Sequence, residues 1–179
     1  MRIIATLTLT ILILLSLLYL ADSSYAGNGC SIGPACSSNL TDGCNVISSI
    51  NVTPMTYSLP NGIDFCASNS VLDCREATLR GMNSGKTGIF IDSVTNSVVK
   101  NCIASNYSSG IFINKSTRVI LERNTAKFSD TGFYIFLSDN NTLLSNSAES
   151  NWLAGIYLLG SNFNSISSNL ALGLSLIHI

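Results

Sequence analysis

Hydrophobic and polar positions repeat with a constant period over residues 88–169. Four segments begin with a glycine that precedes a short apolar alternation, and their first residues are Gly88, Gly110, Gly132 and Gly155. Successive starts lie 22 or 23 residues apart. A constant period of this length is typical of solenoid proteins, in which similar coils stack on one another.

Each segment predicts short strands separated by turns. Apolar residues alternate, as at Ile89/Ile91 and Ile111/Ile113, and Asn, Ser, Asp and Gly interrupt the alternation. A helical repeat would instead need two longer runs with a period of 3.6 residues. We therefore predict an all-β fold, a right-handed single-stranded parallel β-helix. It is a solenoid of about 22-residue coils that stack about 4.8 Å apart.

Alignment of the four segments places a small polar residue three positions after an aliphatic one. This polar column contains Cys102, Asn124, Asn146 and Asn169. We predict that it forms a structural ladder at turns, because asparagine tolerates the left-handed conformation and its amide can bond the next coil. The repeat glycines are expected at the other bends.

These motifs resemble a known family of repeat proteins. The stretch Leu72–Gly81 (LDCREATLRG) and the recurrent pattern G-[IF]-[FY]-[IL]…[LI]-x-x-N are similar to the right-handed parallel β-helix repeats of the NosD type and to related carbohydrate-binding and sugar-hydrolase repeats. The resemblance covers about residues 50–171. Family members commonly have Asn-Gly where this chain has Arg75-Glu76. The resemblance implies the fold, and the family's usual description as periplasmic and copper-binding implies copper handling. Function on such a scaffold depends on the sites it carries.

The start of the chain predicts export. Residues 1–26 have a basic start, an apolar run and small residues before Ala26, which predicts a signal peptide cleaved after that residue. An uncleaved membrane anchor is the alternative, because the apolar run of about 18 residues nearly spans a bilayer. In both cases we expect the rest of the chain to be secreted, periplasmic or at the cell surface.

Three further regions complete the predicted organisation. Residues 27–71 are expected to form a disulfide-rich N-terminal cap and an irregular first coil, and residues 72–171 the β-helix repeats. Residues 172–179 form an apolar tail that is off register with the repeat. Because of this tail, we expect the sequence to be an N-terminal fragment of a longer protein.

Six cysteines crowd the N-terminal half of the chain. They are Cys30, Cys36, Cys44, Cys66, Cys74 and Cys102. An exported protein favours disulfides, and six cysteines allow fifteen pairings. We expect disulfides to staple the cap, with Cys102 as a buried free thiol in the polar column. A Cys74–Cys102 bridge is the alternative.

The low charge of the chain argues against nucleic acid as a partner. The formal net charge is −1 and only 11% of residues are charged, whereas nucleic-acid binders carry concentrated basic surface. We therefore expect no nucleic-acid partner, and contact with a membrane only through an uncleaved leader. We assign no metal ligands and no cofactor, because the disulfides would use the thiols and the mature chain has a single histidine, His178.

Acidic residues do not predict a catalytic pair. Glycoside hydrolysis uses two carboxylates about 5–9.5 Å apart, but Asp92 aligns with Asn114 and Phe136, and Glu122 aligns with Lys100. We assign no catalytic residues in this stretch, and leave open that it belongs to a polysaccharide-active enzyme.

An aromatic column is the candidate ligand-binding feature. It contains Phe90, Phe112, Tyr134 and Tyr157, each two residues after a repeat glycine. If the flanking aliphatic residues face the core, these rings face outward. Two interpretations remain: a glycan-binding stripe, or a self-stacking ladder that stabilises the coils. The sequence thus predicts an exported recognition scaffold with a glycan or cell-surface polysaccharide as ligand. A NosD-like copper-handling factor and a fragment of a polysaccharide-active enzyme are the alternatives.

Overall fold

The structure, a computed structural model, describes residues 30, 32–83 and 85–173. Within these residues the chain forms 18 strands in three parallel sheets, and each of six coils contributes one strand to each sheet. Paired residues of successive coils lie 22 apart at Ser109 and Thr131, and 23 apart at Thr131 and Ala154. The predicted all-β parallel β-helix is confirmed. The predicted signal peptide (1–26) and His178 lie outside the described residues.

Sheet A begins each coil and has the longest strands. It contains β1 (Asn45–Val46), β4 (Ile63–Phe65), β7 (Thr87–Asp92), β10 (Ser109–Asn114), β13 (Thr131–Phe136) and β16 (Ala154–Leu159), in that spatial order. Sheet B contains β2 (Ile50–Asn51), β5 (Val71–Asp73), β8 (Val98–Lys100), β11 (Ile120–Glu122), β14 (Thr142–Leu144) and β17 (Ser165–Ser167). Sheet C contains β3 (Thr56–Ser58), β6 (Thr78–Arg80), β9 (Ile103–Ser105), β12 (Thr125–Lys127), β15 (Ser147–Glu149) and β18 (Leu170–Leu172).

Regular stacking starts earlier than the sequence indicates. Strands β1 to β3, from Asn45 onward, already pair in register with the second coil. Their weak alternation and short lengths conceal them in the sequence. No helix long and apolar enough to cross a membrane occurs in the part of the chain that the structure describes.

The core is a column of aliphatic side chains enclosed by the three sheets. Alternation places one face of every strand inside, so that Leu72, Val99, Leu121 and Leu143 form one fully buried column in sheet B. Burying a leucine of this kind stabilises the fold by about 1.5–3 kcal/mol. On sheet C the corresponding residues are Leu79, Ala104, Ala126 and Ala148, which are also fully buried.

The repeat glycines do not lie at bends, which corrects the expectation from sequence. Gly88, Gly110 and Gly132 are buried inside strands β7, β10 and β13 and do not have a positive φ. A Cβ on Gly110 would lie 2.8 Å from the Gly132 carbonyl oxygen, and one on Gly132 would lie 2.5 Å from that of Gly155. Close approach of successive coils therefore requires glycine in this column.

Each coil turns at corners where one residue has a positive φ. In the fifth coil these residues are Leu137, Asn140, Ser145 and Ser150. Each is followed by a buried polar residue, in order Ser138, Asn141, Asn146 and Asn151. The left-handed residue thus precedes the ladder asparagine, which corrects the prediction that the asparagine itself has the left-handed conformation.

The polar column at the B–C corner forms a continuous hydrogen-bonded ladder. The Cys102 N–H donates to Asn124 Oδ1 at 3.0 Å, the Asn124 N–H to Asn146 Oδ1 at 2.9 Å, and the Asn146 N–H to Asn169 Oδ1 at 2.8 Å. Asn124 and Asn146 are each 1% exposed. Each asparagine thereby supplies an acceptor to a corner amide that the strand ladders leave without one.

The other three corners have the same kind of side-chain acceptor, which the repeat pattern did not predict. Ser116 and Ser138 accept from the N–H of Val94 and Ser116, at 3.1 and 3.0 Å. Asn141 accepts from the Val119 N–H at 2.8 Å. The remaining corner, between sheets C and A, uses Ser129 and Asn151. Serine and asparagine share these columns, so the repeated chemistry is less visible in the sequence.

All six cysteines form disulfides. The pairs are Cys30–Cys66, Cys36–Cys44 and Cys74–Cys102. The first two bind the N-terminal segment to the first coils, while the third joins the second coil to the third inside the core. The expectation of a free thiol at Cys102 is therefore wrong. Cys74 lies one coil away, with the two Cα atoms 4.8 Å apart, so the neighbouring thiols can bond.

Candidate functional site

The aromatic column lies on the outer face of sheet A. Phe90, Phe112, Tyr134 and Tyr157 are direct register partners in strands β7, β10, β13 and β16. The residues on either side, such as Ile111 and Ile113, are fully buried in the core. The strand alternation predicted from the sequence therefore directs these four rings outward, into one row.

The rings of this row pack mainly on each other. Phe112 and Tyr134 stack with centroids 4.6 Å apart and an interplanar angle of 13°, and Tyr134 and Tyr157 with 5.2 Å and 25°. Phe90 is tilted by 52° relative to Phe112. Stacking covers the faces of the inner rings, so that Phe112 and Tyr134 expose edges. The row therefore has the geometry of the self-stacking ladder. Because sugar rings pack on aromatic faces and these faces are covered, a sugar would have to bind on a neighbouring surface.

A groove next to this row supplies such a surface. Its volume is about 560 Å³, and we call it the aromatic groove. Tyr134 and Tyr157 from the row line it, together with Trp152 and Leu153 from the corner between sheets C and A. The side chain of Asp130 and hydroxyl groups of nearby serine and threonine residues complete its lining.

An extra residue at the corner between sheets C and A accompanies Trp152 and Leu153 in the groove lining. The corner contains residues 128–130 after the fourth coil but residues 150–153 after the fifth. Both the Leu153 and Ala154 N–H groups donate to the Asp130 carbonyl oxygen, at 2.7 and 3.3 Å, which is the pattern of a β-bulge. The Trp152 N–H donates to the Ser129 carbonyl oxygen at 2.8 Å. The bulge is thus anchored to the coil below it and directs Trp152 outward.

The groove combines apolar surface with polar groups. Trp152 is 71% exposed, Leu153 55% and Tyr157 41%, although large apolar side chains are usually buried. Ser109 and Thr131 lie at the base of the same groove. Aromatic faces with adjacent hydroxyl and carboxylate groups can pack against sugar C–H groups and bond sugar hydroxyls.

Only part of this site is predicted by the repeat pattern of the sequence. Tyr134 and Tyr157 line the groove, whereas Phe90 and Phe112 lie further along the row and are not in its lining. Trp152, Leu153 and Asp130 were missed. Their signal was the change in spacing from 22 to 23 residues before Gly155, which marks the bulge. The four residues of the polar column lie at the B–C corner and form no part of the groove.

The acidic cluster near Asp73 has a structural role. Burial by itself would raise the pKa of Asp73, but hydrogen bonds from Asn101 Nδ2 at 2.9 Å and from the Arg75 N–H at 3.0 Å, together with the charge of Lys100, lower that pKa below its ordinary value. The Lys100 Nζ lies 3.5 Å from Asp73 Oδ2. These contacts keep Asp73 ionised and join the second coil to the third.

Tyr107 fills the core at the C–A corner. Its hydroxyl donates to the Leu59 carbonyl oxygen at 2.8 Å, across 48 residues of sequence. Burial, together with the negative charge of Asp42, raises the pKa of the Tyr107 phenol well above its ordinary value. A Cβ on Gly81 would lie 2.5 Å from the Tyr107 ring, which explains glycine there.

The described residues do not fit a copper site. Copper prefers thiolate, thioether and imidazole ligands, but all six thiols form disulfides and the described residues contain no histidine. Met55 and Met82 are exposed and lie in different coils. Across residues 30, 32–83 and 85–173, no three His, Cys, Asp or Glu side chains form a group that would hold a metal ion.

Comparisons with known proteins give one family and one solved structure. The family described as "NosD: Periplasmic copper-binding protein" matches residues 24–173. The solved structure is a mutant of the periplasmic alginate epimerase AlgG, with a TM-score of 0.49 and 17% identity. That similarity covers 75% of this chain and 46% of the epimerase chain, so this chain spans less than half of that protein. No curated protein matches the sequence.

Proposed function

The chain belongs to the NosD family, and from that premise we propose that it is an extracytoplasmic β-helix scaffold that binds carbohydrate in the aromatic groove. The family and the three disulfides support a location outside the cytoplasm. The carbohydrate ligand is our inference from the chemistry of the groove.

The exposed Trp152 side chain, in the same groove as Tyr157, carries the proposal. A flat aromatic surface packs well against the C–H face of a pyranose. Asp130, Ser109 and Thr131 lie within the same groove. They provide the acceptors and donors that sugar hydroxyls require.

The stacked row has a supporting role in this proposal. Phe112 and Tyr134 cover each other's faces, so they hold Tyr157 and the sheet surface in position instead of stacking on sugar. The proposal therefore differs from a stripe that binds through all four rings. It predicts that affinity depends on Trp152 more than on Phe112.

We do not extend the proposal to copper handling or to catalysis. The described residues offer no matching set of copper ligands. Among the residues that line the aromatic groove, Asp130 is the one carboxylate, whereas glycoside hydrolysis commonly uses two. The observations thus favour binding.

The test is a glycan array probed with the folded, oxidised protein, followed by calorimetry on the best ligand. Trp152→Ala should weaken binding at least about tenfold, which corresponds to about 1.4 kcal/mol. The matched control is Phe163→Ala, because Phe163 is also an exposed aromatic residue but lies at the corner between sheets A and B. Equal affinities of the Trp152→Ala variant and the unmodified protein, with both folded, would exclude the groove as the sugar site.

A further inference from the structure

A second groove lies along the same edge of the solenoid as the aromatic groove. It also has a volume of about 560 Å³ and is lined by Thr56, Ser58, Arg80, Met82, Asn83 and Asn106. We call it the cationic groove. Arg80 is exposed, and within the described residues the ion pairs are Lys100–Asp73 and Arg123–Glu122, so no described carboxylate pairs with its guanidinium group.

Hydrogen bonds fix this groove to the C–A corner. Six residues of the sequence separate β6 from β7, whereas three residues make the same connection in the next two coils, at 106–108 and 128–130. The Asn83 N–H donates to the Asn106 carbonyl oxygen, and the Ser108 N–H donates to the Lys86 carbonyl oxygen, both at 2.8 Å. Asn83 and Lys86 therefore lie against the corner of the third coil, at residues 106–108, where the aromatic groove begins.

The surface between the two grooves is suited to the same ligand. Phe128 lies at this corner after the fourth coil and is 52% exposed. The sequence of groups along the corner is thus Arg80, then Phe128, then Trp152. Arg80 and Trp152 are separated by three coil steps, or about 14 Å at the usual spacing of parallel strands.

The linings of the two grooves differ in charge: Arg80 is the one charged residue in the lining of the cationic groove and Asp130 the one in the lining of the aromatic groove, while Asp42 lies in neither lining. Arg80 and Lys86 lie toward the N-terminal end, with Lys127 two coils beyond Arg80 in the same outward register column. Asp130 and Glu149 lie toward the C-terminal end. An anionic group on a ligand is therefore favoured in the cationic groove and disfavoured near Trp152.

We propose that both grooves bind one extended acidic polysaccharide, with a uronate carboxylate at Arg80 and a sugar ring on Trp152. The guanidinium group matches a carboxylate geometrically, since it presents parallel N–H donors to the two oxygens. Thr56, Ser58, Asn83 and Asn106 surround that carboxylate with neutral hydrogen-bonding groups. This proposal rests on the proposed carbohydrate binding and adds the charge, the length and the direction of the ligand.

Calorimetry with a panel of uronic-acid hexasaccharides tests it. The panel is oligogalacturonate, oligoguluronate and oligomannuronate, each compared with its carboxyl-reduced counterpart and with the matching disaccharide. We expect at least one acidic hexasaccharide to bind about tenfold more tightly than its reduced form and than its disaccharide, because a charged hydrogen bond and the second groove are then both used. Arg80→Gln should abolish the preference for the acidic form.

Arg118→Gln is the matched control, because it removes the same charge from an exposed arginine at the A–B corner. It should leave both affinities unchanged, while Trp152→Ala should weaken acidic and reduced ligands alike. If Trp152→Ala weakens binding but neither Arg80→Gln nor carboxyl reduction of the ligand changes the affinity, the acidic-ligand proposal is wrong. The proposed carbohydrate binding would still hold. Absence of binding to any glycan would overturn both.

Discussion

Replacement of Asn146 by alanine should destabilise the protein more than the same replacement at an exposed asparagine. Asn146 Oδ1 accepts from the Asn124 N–H at 2.9 Å and from Asn124 Nδ2 at 3.1 Å. Its Nδ2 donates to the Leu121 carbonyl oxygen at 2.9 Å and to Asn169 Oδ1 at 3.0 Å. One substitution therefore removes four hydrogen bonds from the side chain of a fully buried residue.

The expected loss follows from the groups left without a partner. The Asn124 N–H and the Leu121 carbonyl oxygen are buried backbone groups that each lose a hydrogen bond. Leaving such a group without its partner costs about 1–3 kcal/mol. Asn124 Nδ2 keeps its bond to Val99, at 2.8 Å, and adds little. Two such groups sum to about 2–6 kcal/mol. Because single substitutions rarely cost more than about 4–5 kcal/mol, we expect the free energy of unfolding to fall by about 2–4 kcal/mol.

Urea unfolding of the oxidised protein, followed by circular dichroism, measures this loss. Repeat proteins can depart from two-state unfolding, so the comparison requires equal m-values in the two proteins. The control is Asn162→Ala, because Asn162 is an exposed asparagine of the solenoid that is not part of the ladder. Its substitution should cost less than about 0.5 kcal/mol.

A double substitution tests whether the ladder acts as a unit. Asn124→Ala and Asn146→Ala together should cost less than the sum of the two, by about 0.5–3 kcal/mol, because the first substitution already removes the bonds that the two share. The reasoning would be refuted if Asn146→Ala cost no more than Asn162→Ala, or if the two ladder substitutions were additive.

Three further predictions concern the core and its charges. Tyr107→Phe should lower stability by about 1–3 kcal/mol because the Leu59 carbonyl loses its donor. Burial raises the pKa of Tyr107, so the protonated phenol stabilises the fold fully below the unfolded pKa of about 10, and this stabilisation is lost at higher pH. Above pH 10 the free energy of unfolding should therefore fall less steeply in Tyr107→Phe than in the unmodified protein. The pKa of Asp73 is lowered, so the ionised carboxylate stabilises the fold above the unfolded pKa of about 3.9, and this stabilisation is lost as the pH falls through the folded pKa. Below pH 4 the free energy of unfolding should therefore fall less steeply in Asp73→Asn than in the unmodified protein. Gly110→Ala should cost about 1–3 kcal/mol in thermal unfolding, since the new Cβ would lie 2.6 Å from the Ala126 Cβ, and a cost below about 0.5 kcal/mol would contradict the close-approach argument.

The local pattern of residues was sufficient for the fold. The glycine-led segments specify the coil length, and strict alternation in β10 and β13 determines which side chains enter the core and which face solvent. These properties depend on neighbours in sequence, because strand alternation is a period of two. For the same reason the outward direction of Phe112 and Tyr134 could be inferred without coordinates.

Contacts between coils depended on the tertiary structure. Gly110 resembles a bend residue in the sequence, but only the position of the Gly132 carbonyl oxygen shows that a side chain would not fit. The partner of Cys102 was one of two alternatives until stacking placed Cys74 beside it. In both cases the decisive neighbour lies one coil away, at a separation set by packing and not by local propensity.

The candidate site shows the same division. The sequence by itself determined that an aromatic row lies on the outside of sheet A, because register repeats with the coil. Only the tertiary structure decided that the rings cover one another, that one added residue bulges Trp152 outward, and that Arg80 lies along the same corner. A repeat specifies the average coil from its own residues, whereas a groove arises where one coil departs from that average and meets its neighbours.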